Sequence, residues 1–135
     1  MISATRRSPT SCLPSNVKSN TLDLTDDDYI AAAAKDVPEL DSLIIKAAIG
    51  KDDHLQTTDF KSLLSTLETN VVGPNRVIQA FLPALLARKT RQIILIGSMS
   101  GSLQLQASSK AGFHGPYAVS KAALNMLAVQ WHNEL

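Results

Sequence analysis

Two side chains four residues apart carry the strongest chemical signal in this sequence. Tyr117 and Lys121 bracket the run Tyr117-Ala118-Val119-Ser120-Lys121, and on a helix an i, i+4 pair projects from one face. A neighbouring ammonium favours the phenolate, and a phenol so placed can pass a proton to or from a carbonyl or alcohol oxygen near neutral pH. The ammonium could also hold a cofactor hydroxyl. With two Tyr and eight Lys in 135 residues, such a pair arises by chance in about one chain in eight of this composition, so its surroundings decide the reading. Upstream, Ile93-Ile94-Leu95-Ile96 runs directly into Gly97-Ser98-Met99-Ser100-Gly101. A Ser at the C-terminal end of a parallel strand sits where open α/β sheets place their ligands. Ser98 could hydrogen-bond the same oxygen that the Tyr protonates, and Ser100 or Ser102 would serve equally well as turn residues. Further back stands Asn70-Val71-Val72-Gly73-Pro74. Pro74 has no N–H, so the carbonyl of Asn70 loses its helical partner. That leaves either a place for an ordered water and a proton path, or a helix bend that packs around the core.

The elements that must position these residues follow from hydrophobic pattern. Leu43-Ile44-Ile45 and Ile93–Ile96 are short continuous apolar runs, as expected of parallel strands covered on both faces. Residues 20–24 and 1–5 are weaker strand candidates. Thr25 is placed to cap a helix whose first turn holds Asp26, Asp27 and Asp28, and Pro38 ends it. From Thr58, Phe60, Leu63, Leu64, Leu67 and Val71 recur at helical spacing, and Ile78, Leu82, Leu85 and Leu86 extend the stripe. A last helix spans about 117–135, with Leu124, Leu127, Ala128, Trp131 and Leu135 on related faces. Residues 101–116 read as one long irregular loop, a length that is often functional. Strand, helix, strand, long helix, strand, loop, helix is the alternation of a doubly wound α/β sheet.

Composition bounds the function. At 135 residues, with 44% hydrophobic and 19% charged side chains, the chain reads as one soluble globular domain spanning 1–135. No apolar run approaches the ~20 residues of a membrane span and no secretory h-region follows the N-terminus, which points to the cytoplasm. A net charge of +1 gives no footprint for nucleic acid. The charge is uneven: residues 23–59 hold ten acids against three lysines, whereas 1–22 hold Arg6, Arg7 and Lys18 and no acid. The single Cys12 excludes an internal disulfide. His54, His114 and His132 are isolated in sequence and suggest no metal site.

Taken in order, Leu22-Asp23-Leu24-Thr25-Asp26, Leu40-Asp41-Ser42-Leu43-Ile44, Asn70-Val71-Val72-Gly73, Ile96-Gly97-Ser98 and Tyr117-Ala118-Val119-Ser120-Lys121-Ala122-Ala123-Leu124-Asn125 resemble the short-chain dehydrogenase/reductases. These are nicotinamide-dependent oxidoreductases on a Rossmann-type fold, and the chain is most similar to their fungal and carbonyl-reductase-like branch. The resemblance covers roughly 1–135. It implies an NADP-dependent interconversion of a carbonyl and a secondary alcohol, NAD being the less favoured cofactor. It further implies that Tyr117 is the general acid/base and that Ser98 orients the substrate oxygen. Lys121 would bind the nicotinamide ribose and favour the Tyr117 phenolate, while the Asn70 carbonyl would hold a relay water. Asp23 matches the position that contacts the adenine. Arg6 and Arg7, at the exit of what looks like the family's second strand, match a 2′-phosphate site. The helices around 58–89 and 117–135 are those the family uses to form homo-oligomers.

The departures from the family pattern are equally specific. No G-x-x-x-G-x-G occurs in the chain, and that turn is what brings a pyrophosphate onto a helix N-terminus. The resemblance therefore implies a partial Rossmann-type sheet that lacks the first strand with its glycine-rich turn and the C-terminal strands. The family's Asn-Asn-Ala-Gly appears as Ile45-Lys46-Ala47-Ala48, with Lys46 facing either a phosphate or solvent. The stretch from Ser98 to Tyr117 is longer than the family norm and must fold back. With family strand order 3-2-1-4-5, loss of strand 1 opens a gap of roughly 9–10 Å. Either the sheet closes up in a new register, or residues 1–24 lose their seat, and the isolated chain is expected to be marginally stable. The alternative to an enzyme is a catalytically inactive remnant or interaction module.

Overall fold

The strands pair two by two. The computed structural model describes residues 2–6, 15 and 17–135, with backbone alone for 2–6 and 18–20. In it, β1 (Ile2–Arg6) lies parallel to β2 (Val17–Thr21), Ile2 opposite Val17 and Arg6 opposite Thr21. Likewise β3 (Ser42–Ile45) lies parallel to β4 (Gln92–Leu95), Ser42 opposite Gln92 and Ile45 opposite Leu95. The two pairs are separate sheets. The gap has not closed into a new register, and the β1–β2 pair keeps a seat all the same, because Leu22 and Leu24 just beyond β2 are buried in the common core.

The expected strand over 20–24 is thus displaced to Val17–Thr21. Its end is set by Asp23, whose Oδ1 accepts from the Thr25 amide (2.9 Å) and hydroxyl (2.7 Å), a local side-chain turn that competes with strand pairing. Because Thr25 is spent on that turn, Asp26 and not Thr25 caps α1 (Asp27–Lys35), accepting from the amides of Asp28 and Tyr29. Acids in the first turn and Lys35 in the last complement the helix dipole.

The long helical stripe divides into α2 (Phe60–Leu67), a π turn (Glu68–Val72) and α3 (Gly73–Leu86). Asp59 caps α2 through the amide of Ser62, at 2.8 Å. Past β4 come a 3₁₀ turn (Met99–Gly101), α4 (Leu103–Ser109) and α5 (Gly115–Glu134), so the supposed irregular loop over 101–116 contains a helix. Helices α1, α2–α3 and α5 form one layer, α3 lying against both α1 and β3 and α5 against α2. Ile45 is buried under it with Ile30, Ala33, Val77, Ile78 and Phe81. Ile44, pointing the other way, is 61% exposed, so the expected cover on both faces of β3 holds for Ile45 and not for Ile44. Trp131 packs at the core's margin and donates its Nε1–H to Asn75 Oδ1 at 2.9 Å, joining α5 to α3.

Candidate active site

The proline in the long helix shapes the first part of the site. Its missing N–H would orphan a carbonyl in an α-helical register, and the chain answers with the wider π turn, in which the Gly73 amide donates to the Glu68 carbonyl. Such bulges are frequent at functional sites. The bulge is anchored by Arg76, which pairs with Glu68 and with Asp27 of α1. Its consequence is the placement of the Asn70 side chain, which is 1% exposed. Asn70 Oδ1 accepts from the Ile49 amide (2.8 Å), while Nδ2 donates to the Ile49 carbonyl (2.7 Å) and to Ser120 Oγ (2.9 Å). The sequence directs attention to the carbonyl of Asn70; the structure shows its side-chain amide pinning the segment after β3 to α5. Ser120 in turn donates to the Tyr117 carbonyl at 2.7 Å. Nothing in the spacing marks Ile49 or Ser120, apart from the position of Ser120 three residues after a tyrosine on a helix, where a hydroxyl can back-bond.

Helix α5 supplies the tyrosine and lysine. His114 precedes it in extended conformation and Pro116 lies in its first turn, where a missing N–H costs nothing. Tyr117 and Lys121 share a face as the spacing requires: the Lys121 Nζ is 5.7 Å from the Tyr117 ring centroid. Lys121 is 3% exposed and donates to the Ile96 carbonyl at the exit of β4, at 2.8 Å. Burial pushes its pKa below the ordinary lysine value, since a low-dielectric environment disfavours the ammonium. The Tyr117 ring is bounded by Phe113 edge-on, with centroids 5.4 Å apart. On another side lies Gly50, where a Cβ would overlap the ring.

The three serines of the β4 exit have distinct jobs. Ser100 is buried, and Ser102 caps α4 through the Leu105 amide at 3.3 Å. Ser98 accepts from the Ser100 amide at 3.1 Å, which leaves its own O–H free to donate to a bound oxygen. The same segment is tied to α5 by Asn125, whose Nδ2 donates to the Gly101 carbonyl at 3.2 Å. Asn70, Ser98, Tyr117 and Lys121 are thus all placed around the C-terminal ends of β3 and β4, held by the segments leading from those strands and by α5.

A profile described as short chain dehydrogenase matches residues 10–135. The chain belongs to the short-chain dehydrogenase family. It is 33% identical over 118 residues to human 17-beta-hydroxysteroid dehydrogenase type 1, covering 86% of this chain and 34% of that one. To the short-chain dehydrogenase/reductase AacuF of Aspergillus aculeatus it is 32% identical over 133 residues, covering 89% and 50%. Among solved structures, the NADPH-bound carbonyl reductase from chicken fatty liver superposes with a TM-score of 0.72 at 31% identity, over 83% of this chain and 50% of that one. The chain therefore spans about a third to a half of the relatives it matches.

Against the family pattern, the remaining residues are placed as follows. Asp23 stands just beyond β2, engaged with Thr25. Arg6 is the last residue of β1; its side chain, all of Arg7 and Cys12 lie outside the described residues. Lys46 is exposed. His54 and His114, isolated in sequence, stack with ring centroids 6.4 Å apart, because the segment after β3 and the one before α5 meet. Even so, among the described residues no group of three or more His, Cys, Asp or Glu could hold a metal ion, and no helix is long and apolar enough to cross a membrane.

Proposed function

We propose that this short-chain dehydrogenase chain is the single, partial dinucleotide-binding domain, over 1–135, of a cytoplasmic NADP-dependent oxidoreductase that interconverts a carbonyl and a secondary alcohol. The observation that carries the reading is the buried Lys121 ammonium, fixed on the Ile96 carbonyl beside the Tyr117 ring, with the free Ser98 hydroxyl at the exit of the same strand. Tyr117 delivers a proton to the substrate oxygen or removes one. Ser98 donates a hydrogen bond to that oxygen and orients it. Lys121 uses one of its three N–H bonds on Ile96 and keeps two for a ribose hydroxyl and for favouring the phenolate. Asn70 holds the segment bearing Ile49 and, through Ser120, the first turn of α5; its carbonyl lies in the π turn, where a relay water would sit.

The residues present fit the nicotinamide-ribose end of a dinucleotide, through Tyr117 and Lys121, and the family resemblance assigns Asp23 to the adenine contact and Arg6 to a 2′-phosphate site. They do not include a pyrophosphate cradle, since the chain has no glycine-rich G-x-x-x-G-x-G turn. When bound, NADPH supplies the hydride. The preference for NADP rests on Arg6 and on likeness to an NADPH-bound carbonyl reductase. The apolar side chains exposed on α2 and α5, Phe60, Leu64, Val119, Met126 and Val129, favour a homo-oligomer through those helices.

The second reading, a catalytically inactive remnant, is favoured by the division of the described strands into two separate sheets. Titration calorimetry with NADPH separates the two. Under the enzyme reading the chain gives a saturable heat that Lys121→Met weakens, and an aromatic ketone is reduced with loss of 340 nm absorbance that Tyr117→Phe abolishes. No heat at millimolar NADPH sinks the enzyme reading for this chain.

A further inference from the structure

We propose that Asp52 and His114 form a two-point latch that positions Tyr117, a role that rests on the reading of Tyr117 as the proton-transfer residue. One carboxylate oxygen, Asp52 Oδ1, lies 2.9 Å from the His114 backbone amide and 2.9 Å from the ring Nδ1. The other ring nitrogen, Nε2, faces the carbonyl of Lys110 at 3.2 Å. Both ring nitrogens therefore look at acceptors, an arrangement that an imidazolium satisfies at both positions and a neutral ring at one. His114 leads into α5 without capping it through its own side chain, so the acid that steadies this helix start comes from a different segment, the one after β3.

Geometry links the latch to the phenol on both sides. The segment carrying Asp52 also carries Gly50, which lies flush on the Tyr117 ring, and the segment carrying His114 carries Phe113, which meets the ring edge-on. At Gly115 the backbone has φ +58°, and a Cβ would strike the Asp53 carbonyl, so the two segments meet backbone to backbone where only glycine fits. The groups around the latch are His54, stacked on the His114 ring, Asp53 and Lys110. The latch is separate from the core: the Asp52 and His114 side chains are 54% and 37% exposed, and neither belongs to the buried cluster. Its loss therefore loosens the start of α5 without emptying the interior. The two hydrogen bonds from His114 hold the Asp52 carboxyl below its ordinary pKa.

The test uses the whole chain and three variants, Asp52→Ala, Asp52→Asn and Asp52→Glu. In Asp52→Ala, NMR should show the Tyr117 ring signals moving toward those of a free tyrosine, with the His114 amide exchanging about tenfold faster or more. NADPH-dependent reduction of acetophenone should lose about tenfold in kcat, with KM changed less than twofold, because misorientation acts on the chemical step. Asp52→Asn, which keeps an oxygen acceptor at that position, should recover most of both signals, and Asp52→Glu less. Should Asp52→Ala fail to fold, the Asn and Glu variants carry the same comparison. Unchanged ring signals and amide exchange overturn the latch, as does a rate loss confined to KM. A wild-type chain that reduces no ketone defeats the enzymatic reading, while the NMR comparison still decides whether the latch positions Tyr117.

Discussion

The two ends of the β3–β4 pair are built from different chemistry. At the N-terminal end, Arg88 forks onto Asp41 at 3.0 and 3.2 Å and reaches Glu39 at 3.1 Å, with Thr90 adding a bond to Asp41 at 2.8 Å. These groups are all solvent-exposed. At the C-terminal end the ties are Asn70 to Ile49 and Ser120, Ser120 to Tyr117, and Lys121 to Ile96. There Asn70 and Ser120 are neutral, and they and Lys121 are buried. No buried side-chain polar atom among the described residues lacks a partner. Exposed ion pairs cost little to rearrange and are screened by salt. A buried amide that loses its partners bears a desolvation penalty with nothing to offset it. The end that, on the proposed reading, holds a tyrosine, a serine and a lysine in fixed relation is the end built from the less forgiving bonds.

The sharpest way to break that contrast is Asn70→Ala. It strips partners from the Ile49 amide and carbonyl and from Ser120 together, so it should destabilise the chain by about 2–4 kcal/mol, read from urea denaturation. Ser120→Ala should cost about 1–2 kcal/mol, and less than that in an Asn70→Ala background, because the two share a hydrogen bond. A full additive cost in the double variant would show that the bonds do not act as a unit.

A smaller effect, one that depends on pH, is expected at Lys121. Its folded pKa lies below the ordinary 10.5 because of burial, so proton binding favours the unfolded chain. That penalty is complete below the folded pKa and fades as pH rises toward 10.5. The isosteric, uncharged Lys121→Met has no such penalty. Its stability relative to wild type should therefore decline steadily as urea midpoints are compared from pH 7 to pH 10. A difference that stays constant across this range would show that burial does not strain the ammonium.

How much of this was legible in sequence depended on whether the cause was local. The apolar runs at 43–45 and 93–96 gave β3 and β4 to within a residue, because a short continuous apolar run reads as a parallel strand even where, as at Ile44, one face stays open. Pro74 marked the place of the π turn, since a missing N–H acts on a carbonyl four residues away. The Ile49 partner of Asn70, 21 residues distant, depends on how the segment leaves β3, and no local pattern encodes it. Helix α4 escaped notice because Leu103 and Leu105 alternate in strand fashion and none of its residues is buried, so it carries no helical stripe. Thr25 and Asp26 are both good caps one residue apart, and the choice between them was made by Asp23. His54 and His114 meet only through tertiary structure.

The smallest effect should come from Arg88→Ala. Asp41 owes its lowered pKa first to the hydrogen bond from Arg88 and then to Thr90. A carboxylate whose folded pKa is depressed adds stability above its ordinary value of 3.8 and loses it as pH falls through the folded value. Arg88→Ala should therefore lower the urea midpoint slightly at pH 7, and the loss should shrink as pH drops below 3.8. In roughly 1 M salt, where the screening length is about 3 Å, the variant and wild type should converge, whereas the Asn70→Ala deficit should persist unchanged. Convergence in one case and persistence in the other is what distinguishes an exposed electrostatic tie from a buried neutral one. If salt erased both deficits equally, the Asn70 network would have to be treated as accessible to solvent, and the rigidity attributed to the C-terminal end of the pair would lose its physical basis.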